Sequence, residues 1–162
     1  MVKKTAPIVL MILMLFLSAC KVKDYTPEIP LAFENNAKVT SGDFSYDCKI
    51  CKNEDSVTVT VDSTAAKGMS MSYNGKDISF SFADFSYDIN GKNFEKRNAA
   101  IVIYEVFDYI NSTEQLNAKK IEGGFKYEGR ISLGDFILIQ NDDNSFKSLT
   151  MRNIDYKIEF IN

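Results

Sequence analysis

The stretch Met69-Ser70-Met71-Ser72-Tyr73-Asn74-Gly75-Lys76-Asp77-Ile78-Ser79-Phe80-Ser81-Phe82 decides the fold class. Large apolar side chains stand at every second position on either side of an Asn-Gly pair. Period two places such side chains on one face of a strand. Asn and Gly both tolerate the positive φ that a tight hairpin demands. The stretch therefore reads as two antiparallel strands sharing one apolar face.

The alternation continues outward. Upstream, Phe44, Tyr46, Cys48 and Ile50 alternate with polar residues, as do Val57, Val59 and Val61. Downstream come Phe85, Tyr87 and Ile89, closed by Asn90-Gly91. Phe82 and Phe85 differ in parity, which predicts a bulge or bend at Ala83-Asp84. Between Lys96 and Ser112 the period changes: Ala99, Val102, Ile103, Val106, Phe107 and Ile110 recur every three or four residues. That spacing paints one side of a helix, with Glu105, Asp108 and Asn111 on the other. A second set of strands follows, carried by Phe125, Tyr127, Gly129 and Ile131, by Phe136 to Ile139, by Leu149 and Met151, and by Tyr156, Ile158 and Phe160. Gly134-Asp135 and Asn141-Asp142-Asp143-Asn144 supply turns. The expected order is four or five strands, one helix, then three or four strands. Short connections favour antiparallel neighbours. The expected fold is thus mainly β (α+β): a strongly curved antiparallel sheet, a half-barrel, with one helix packed on its concave face.

Composition narrows the chemistry. The chain has 162 residues, 45% hydrophobic and 25% charged, which suits one globular domain. It contains no His, which excludes a Ser-His-Asp or Cys-His nucleophile and any His-ligated zinc. The net charge of −3 argues against nucleic acid, whose phosphates call for a Lys/Arg excess.

The first twenty residues read as an address. Lys3 and Lys4 precede the apolar run Ile8 to Leu17. Ten helical residues rise about 15 Å, half of a bilayer's roughly 30 Å core, so the run suits a signal peptide better than a span. Leu17-Ser18-Ala19-Cys20 resembles the bacterial lipobox. The resemblance implies cleavage before Cys20 and diacylation of its thiol; the alternative is a plain cleaved signal. Two acyl chains hold a protein stably on a membrane where one holds it marginally. The expected organisation is a lipoprotein signal peptide over 1–19, the lipidated Cys20 with a tether over 20–36, and one curved-sheet domain over 37–162. The tether holds Pro27 and Pro30. Loss of Lys3 and Lys4 leaves 17 basic against 22 acidic residues, a charge of −5. Localisation to the cell membrane, on its extracytoplasmic side, follows from that anchor.

Behind the lipobox, the Phe44-Ser45-Tyr46 strand, the Met69 to Phe85 hairpin, the helix, the Phe125 to Phe136 segment and the Leu149 to Asn162 ending are similar to small lipoproteins of clostridial-type bacteria. More distantly the layout resembles the LolA/LppX-like lipoprotein-carrier superfamily. That resemblance implies an incomplete barrel whose hollow, roofed by a helix, encloses acyl chains. It carries over no ligand-contacting residue, because the superfamily offers no diagnostic motif to match.

The candidate chemistry is sparse. Cys48-Lys49-Ile50-Cys51 admits free or buried thiols, a local disulfide, or a redox or metal role. In a regular strand, residues three apart point to opposite faces about 10 Å apart, beyond disulfide reach, though a tight turn would close the gap. Two thiolates alone do not complete a zinc site, and neither a metal nor any cofactor is expected. Glu105 with Asp108, and Asp142 with Asp143, read as solvated carboxylates. The remaining signal is apolar: Met69, Met71, Phe80, Phe82, Val106, Phe107, Ile110, Phe125 and Phe136 concentrate where helix and sheet should meet. They form either a filled core or the lining of a cavity for a lipid-like ligand. The first expectation is a membrane-anchored, non-enzymatic lipoprotein binding such a ligand. The alternative is an envelope protein-interaction or sensory module with a filled core and an exposed apolar patch or an unpaired edge strand.

Overall fold

The computed structural model describes residues 29–91, 94, 97–113 and 118–161. The expected signal peptide, Cys20 and the tether up to residue 28 lie outside the described residues. Among the described residues, eleven strands and one helix follow in the order β1 (Phe33–Ser41), β2 (Phe44–Lys52), β3 (Val57–Val61), β4 (Ser70–Tyr73), β5 (Asp77–Phe82), β6 (Phe85–Asn90), α1 (Ala99–Ser112), β7 (Ala118–Ile121), β8 (Gly124–Ile131), β9 (Gly134–Asn141), β10 (Phe146–Met151) and β11 (Tyr156–Ile161). All eleven form one open, curved antiparallel sheet in the order β6-β5-β4-β3-β2-β1-β11-β10-β9-β8-β7. Two meanders, β1 to β6 and β7 to β11, are sewn together where β1 pairs β11.

Six strands precede the helix and five follow it, more than expected on both sides. The additions are β1 and β7, whose sequences alternate poorly. Strand β1 begins at Phe33, so the last four residues assigned to the tether belong to the sheet. Ala83-Asp84 is a two-residue hairpin turn rather than a bulge. Phe82 and Phe85 face each other across it, so their change of parity reflects a reversal of the chain.

Register lines up the apolar face. Tyr127, Leu138, Leu149, Ile158, Val39 and Tyr46 are successive partners across β8, β9, β10, β11, β1 and β2. The first five of this row are buried. Helix α1 packs on this side, burying Ala99, Val102, Ile103, Val106, Phe107 and Ile110, the six positions its periodicity picks out. Asn98 caps it by accepting a hydrogen bond from the Ala100 N–H at 2.9 Å. Beneath it, the Phe107, Phe33 and Phe146 rings pack with centroids 5.0 to 5.1 Å apart. The helix touches β3 and β4 on one half of the sheet and β8 on the other. Six spacings of about 4.8 Å separate β3 from β8, roughly 29 Å along the sheet. The fourteen-residue helix is only about 21 Å long, so the sheet bends between the two contacts.

Candidate functional site

The apolar side of the sheet continues past the cover of the helix. Ile50, Val59, Met71, Phe80 and Tyr87 are successive register partners across β2 to β6. Ile50 and Val59 are buried, Met71 and Phe80 half-buried, and Tyr87 is 66% exposed. The next pair outward, Phe82 and Phe85, is 47% and 80% exposed. Phe44, on the same side, is 58% exposed. An aromatic face thus runs out from the core to β6, whose outer edge has no strand beside it among the described residues.

The nine side chains expected to line a ligand cavity divide between two environments. Val106, Phe107, Ile110, Phe125 and Phe136 belong to the buried core cluster. Beneath the helix, the Phe107 ring packs against the rings of Phe33 and Phe146. Met69, Met71 and Phe80 are half-buried and Phe82 is exposed, all four on the outlying strands. The residues that the sequence grouped as one lining therefore do not meet around one space.

Open space lies beside the helix. A cleft of about 310 Å³ is lined by Val39, Tyr46, Phe94, Arg97, Asn98 and Tyr156, among others. An apolar hollow of about 130 Å³ adjoins it, lined chiefly by Val59, Val61, Met69 and Met71. Phe44 and Tyr46 wall both spaces, their rings 5.7 Å apart. Asn98 ties the rim together: its Oδ1 caps α1 while its Nδ2 donates to Met71 Sδ. Tyr156 is 2% exposed, and its buried hydroxyl has no hydrogen-bond partner among the described residues. Burial raises its pKa well above the ordinary phenol value, with smaller contributions from Tyr46 and Cys48, so the phenol keeps its proton. Nothing in the local sequence marks Tyr156 or Arg97. Only the pairing of β11 with β1 and the approach of the segment before α1 bring them together.

The remaining candidates take structural parts. Cys48 and Cys51 are free, and β2 runs straight through both. The tight turn that a bridge between them requires is absent. Burial, with Asp62 and Asp47 nearby, pushes the Cys48 thiol up to about 12, far from the lowered pKa of a reactive thiol. Glu105 accepts from the Ser132 N–H at 3.0 Å and the Ser132 hydroxyl at 2.8 Å, pinning the β8–β9 turn to the helix. Asp142 pairs with Lys120, and Asp143 accepts from the Ser145 hydroxyl at 2.6 Å. Among the described residues, no group of three or more Cys, Asp or Glu is placed to hold a metal. Lys52 is a buried cation that the sequence reading did not single out. Its Nζ donates to the carbonyls of Asn53 at 2.6 Å and Leu31 at 3.1 Å, and desolvation lowers its pKa.

No protein-family model matches the chain, and no curated protein does. Among solved structures, a LolA superfamily protein from Nitrosomonas europaea is similar at 13% identity and a TM-score of 0.40, over 85% of this chain and 86% of that one. A chain of the complex between the CwlD amidase and the GerS lipoprotein from Clostridioides difficile is similar at 16% identity and a TM-score of 0.43, over 91% of this chain and 85% of that one. The chain is thus distantly similar in fold to a LolA superfamily member and to a structure containing a clostridial lipoprotein.

Proposed function

We propose that this chain is a lipid-anchored, extracytoplasmic, non-enzymatic binding module that captures an extended segment of an envelope protein along β6. The observation that carries the reading is the bare aromatic face ending at an unpaired edge: Phe82, Phe85 and Tyr87 exposed beside the open side of β6. Exposed edges of this kind are templates for strand addition, and soluble proteins normally blunt them. An added strand would meet Phe85, Tyr87 and Ile89 on one face and Ser86 and Asp88 on the other. The fitting partner therefore alternates apolar side chains with polar ones and sets a Lys or Arg against Asp88. The lipid anchor at Cys20 would hold this surface close to the membrane. The bend between β3 and β8 supports a half-barrel with α1 in its hollow. A lipid tail lodged under the helix is disfavoured, because Phe107, Phe136 and Phe146 occupy that space.

Photo-crosslinking in intact cells tests this. A benzophenone side chain at position 85 or 87 should give one protein adduct of defined mass. The same group at position 130, on the outward face of β8, should give none, and Phe82→Asp should abolish the adduct. A lipid adduct at 85, or none at all, defeats the reading. Separately, Cys20→Ser should eliminate palmitate labelling and release the chain from the membrane fraction; retention on the membrane without label would defeat the anchor.

A further inference from the structure

The start of α1 is tied to the sheet through a sulfur atom. We propose that Met71 is a site of reversible oxidation, whose conversion from thioether to sulfoxide uncouples the first turn of α1 from β4. Met69 and Met71 both line the apolar hollow of about 130 Å³, and both are half-buried. Met151, the remaining methionine among the described residues, is 2% exposed on β10. Oxidation follows exposure, so the two sulfurs at the hollow react before the one sealed in the core.

Met71 differs from Met69 in what it holds. Asn98 Nδ2 donates to Met71 Sδ, while Asn98 Oδ1 accepts from the Ala100 N–H at 2.9 Å. One buried amide thus grips β4 with one end and caps α1 with the other. Met69 makes no such bond among the described residues. The oxidant is a hydroperoxide. A sulfur lone pair attacks one peroxide oxygen, the S–O bond forms as the O–O bond breaks, and the leaving oxygen takes a proton. With hydrogen peroxide the second product is water; sulfur loses two electrons and the peroxide gains them. The sulfur then bears partial positive charge and no longer accepts well, so the acceptor becomes the new oxygen, one bond length away. The amide group of Asn98 is planar and rigid. Its Nδ2 follows that oxygen only by turning Oδ1 away from the Ala100 N–H, which removes the helix cap. The modification is reversible, because methionine sulfoxide reductases restore the thioether.

Hydrogen peroxide treatment of the full Cys20→Ser chain, followed by peptide mapping and amide hydrogen exchange, provides the test. Met69 and Met71 should each gain one oxygen well before Met151 does. Exchange at the Ala100 amide should quicken about fivefold, the loss expected for one helix cap. The Tm should fall by about 2–4 °C, and reductase treatment should restore both values. Met71→Leu nearly conserves volume and keeps Met69, Cys48 and Cys51. Peroxide should therefore leave its Ala100 exchange unchanged, whereas Met69→Leu should respond as the parent chain does. The proposal is overturned if Met151 oxidises as fast as Met71, if Met71 sulfoxide leaves Ala100 exchange unaltered, or if Met71→Leu still responds. None of these readouts uses the β6 edge, so a failed crosslink from position 85 leaves them standing.

Discussion

The two halves of the sheet use the same alternating pattern and end in opposite states. In β8 to β11 most residues facing the helix side, among them Phe125, Tyr127, Phe136, Leu138, Leu149, Met151 and Ile158, are buried. In β4 to β6 the equivalent positions grade from buried Ile78 through half-buried Met71 and Phe80 to nearly bare Phe85. Hydrophobicity does not separate the halves, because both carry large apolar side chains on that face. What separates them is cover. Fourteen residues of helix roof only part of an eleven-stranded sheet. The lesson is that an apolar stripe states a preference for burial, while the neighbouring elements decide whether it is met within the chain.

The sharpest way to break this comparison is a matched pair of truncations. Phe107→Ala, beneath the helix, should cost about 3–5 kcal/mol of unfolding free energy. Phe85→Ala, on the bare face, should change it by no more than about 0.5 kcal/mol. Urea denaturation measures both, and a large loss at Phe85 would mean the face is covered after all. Gly129→Ala probes how tightly the roofed half is packed. A Cβ there would collide with Tyr109 Cε1 and lie 2.7 Å from Phe136 Cε1, and those two rings already pack edge to face at 5.5 Å. Overpacking of this kind costs about 1–3 kcal/mol, visible as a lower Tm.

Cys48 extends the test to pH. Its folded pKa lies near 12, above the ordinary 9.0. The native state therefore keeps a proton that the unfolded chain releases, so this contribution is whole below pH 9 and lost as pH climbs toward 12. Denaturation midpoints should fall across that window, and Cys48→Val should flatten the fall; an unchanged slope would exclude Cys48 as a source. The smallest effect belongs to the bare half. Ala83 sits at φ +52° in the β5–β6 turn, a region that L-residues disfavour and glycine accepts. Ala83→Gly should stabilise by up to about 1 kcal/mol, read as a raised Tm.

Much of the fold was legible in the sequence, for identifiable reasons. The face of every strand with clean alternation could be read, as could the buried stripe of α1. Strand β1, Phe-Glu-Asn-Asn-Ala-Lys-Val-Thr-Ser, escaped notice because its inward positions include Asn35 and the small Ala37. Pairing on both sides makes it central despite that composition. Strand β7, Ala-Lys-Lys-Ile, is too short to establish a period. The candidate site was half legible. The sequence groups Met69, Met71, Phe80 and Phe82 with Phe125 and Phe136, and nothing local distinguishes the first four, which are half-buried or exposed, from the last two, which are buried. The cleft residues Arg97 and Tyr156 were invisible, since a long-range strand pairing and the path into α1 create their proximity.

The seam between β1 and β11 has a consequence for how the molecule comes into being. Nearly every strand pairing is a hairpin between neighbours in sequence, and such local contacts form quickly. The seam is different: Asn36 faces Ile161, 125 residues later in the chain. As a chain emerges from its N-terminus, β1 to β6 can assemble while the partner that closes β1 does not yet exist. Until β11 arrives, the strand destined for the centre of the sheet is itself an edge, open to mispairing. The last six residues of the described chain thus convert two partial sheets into one, and the risk of aggregation is greatest just before they do.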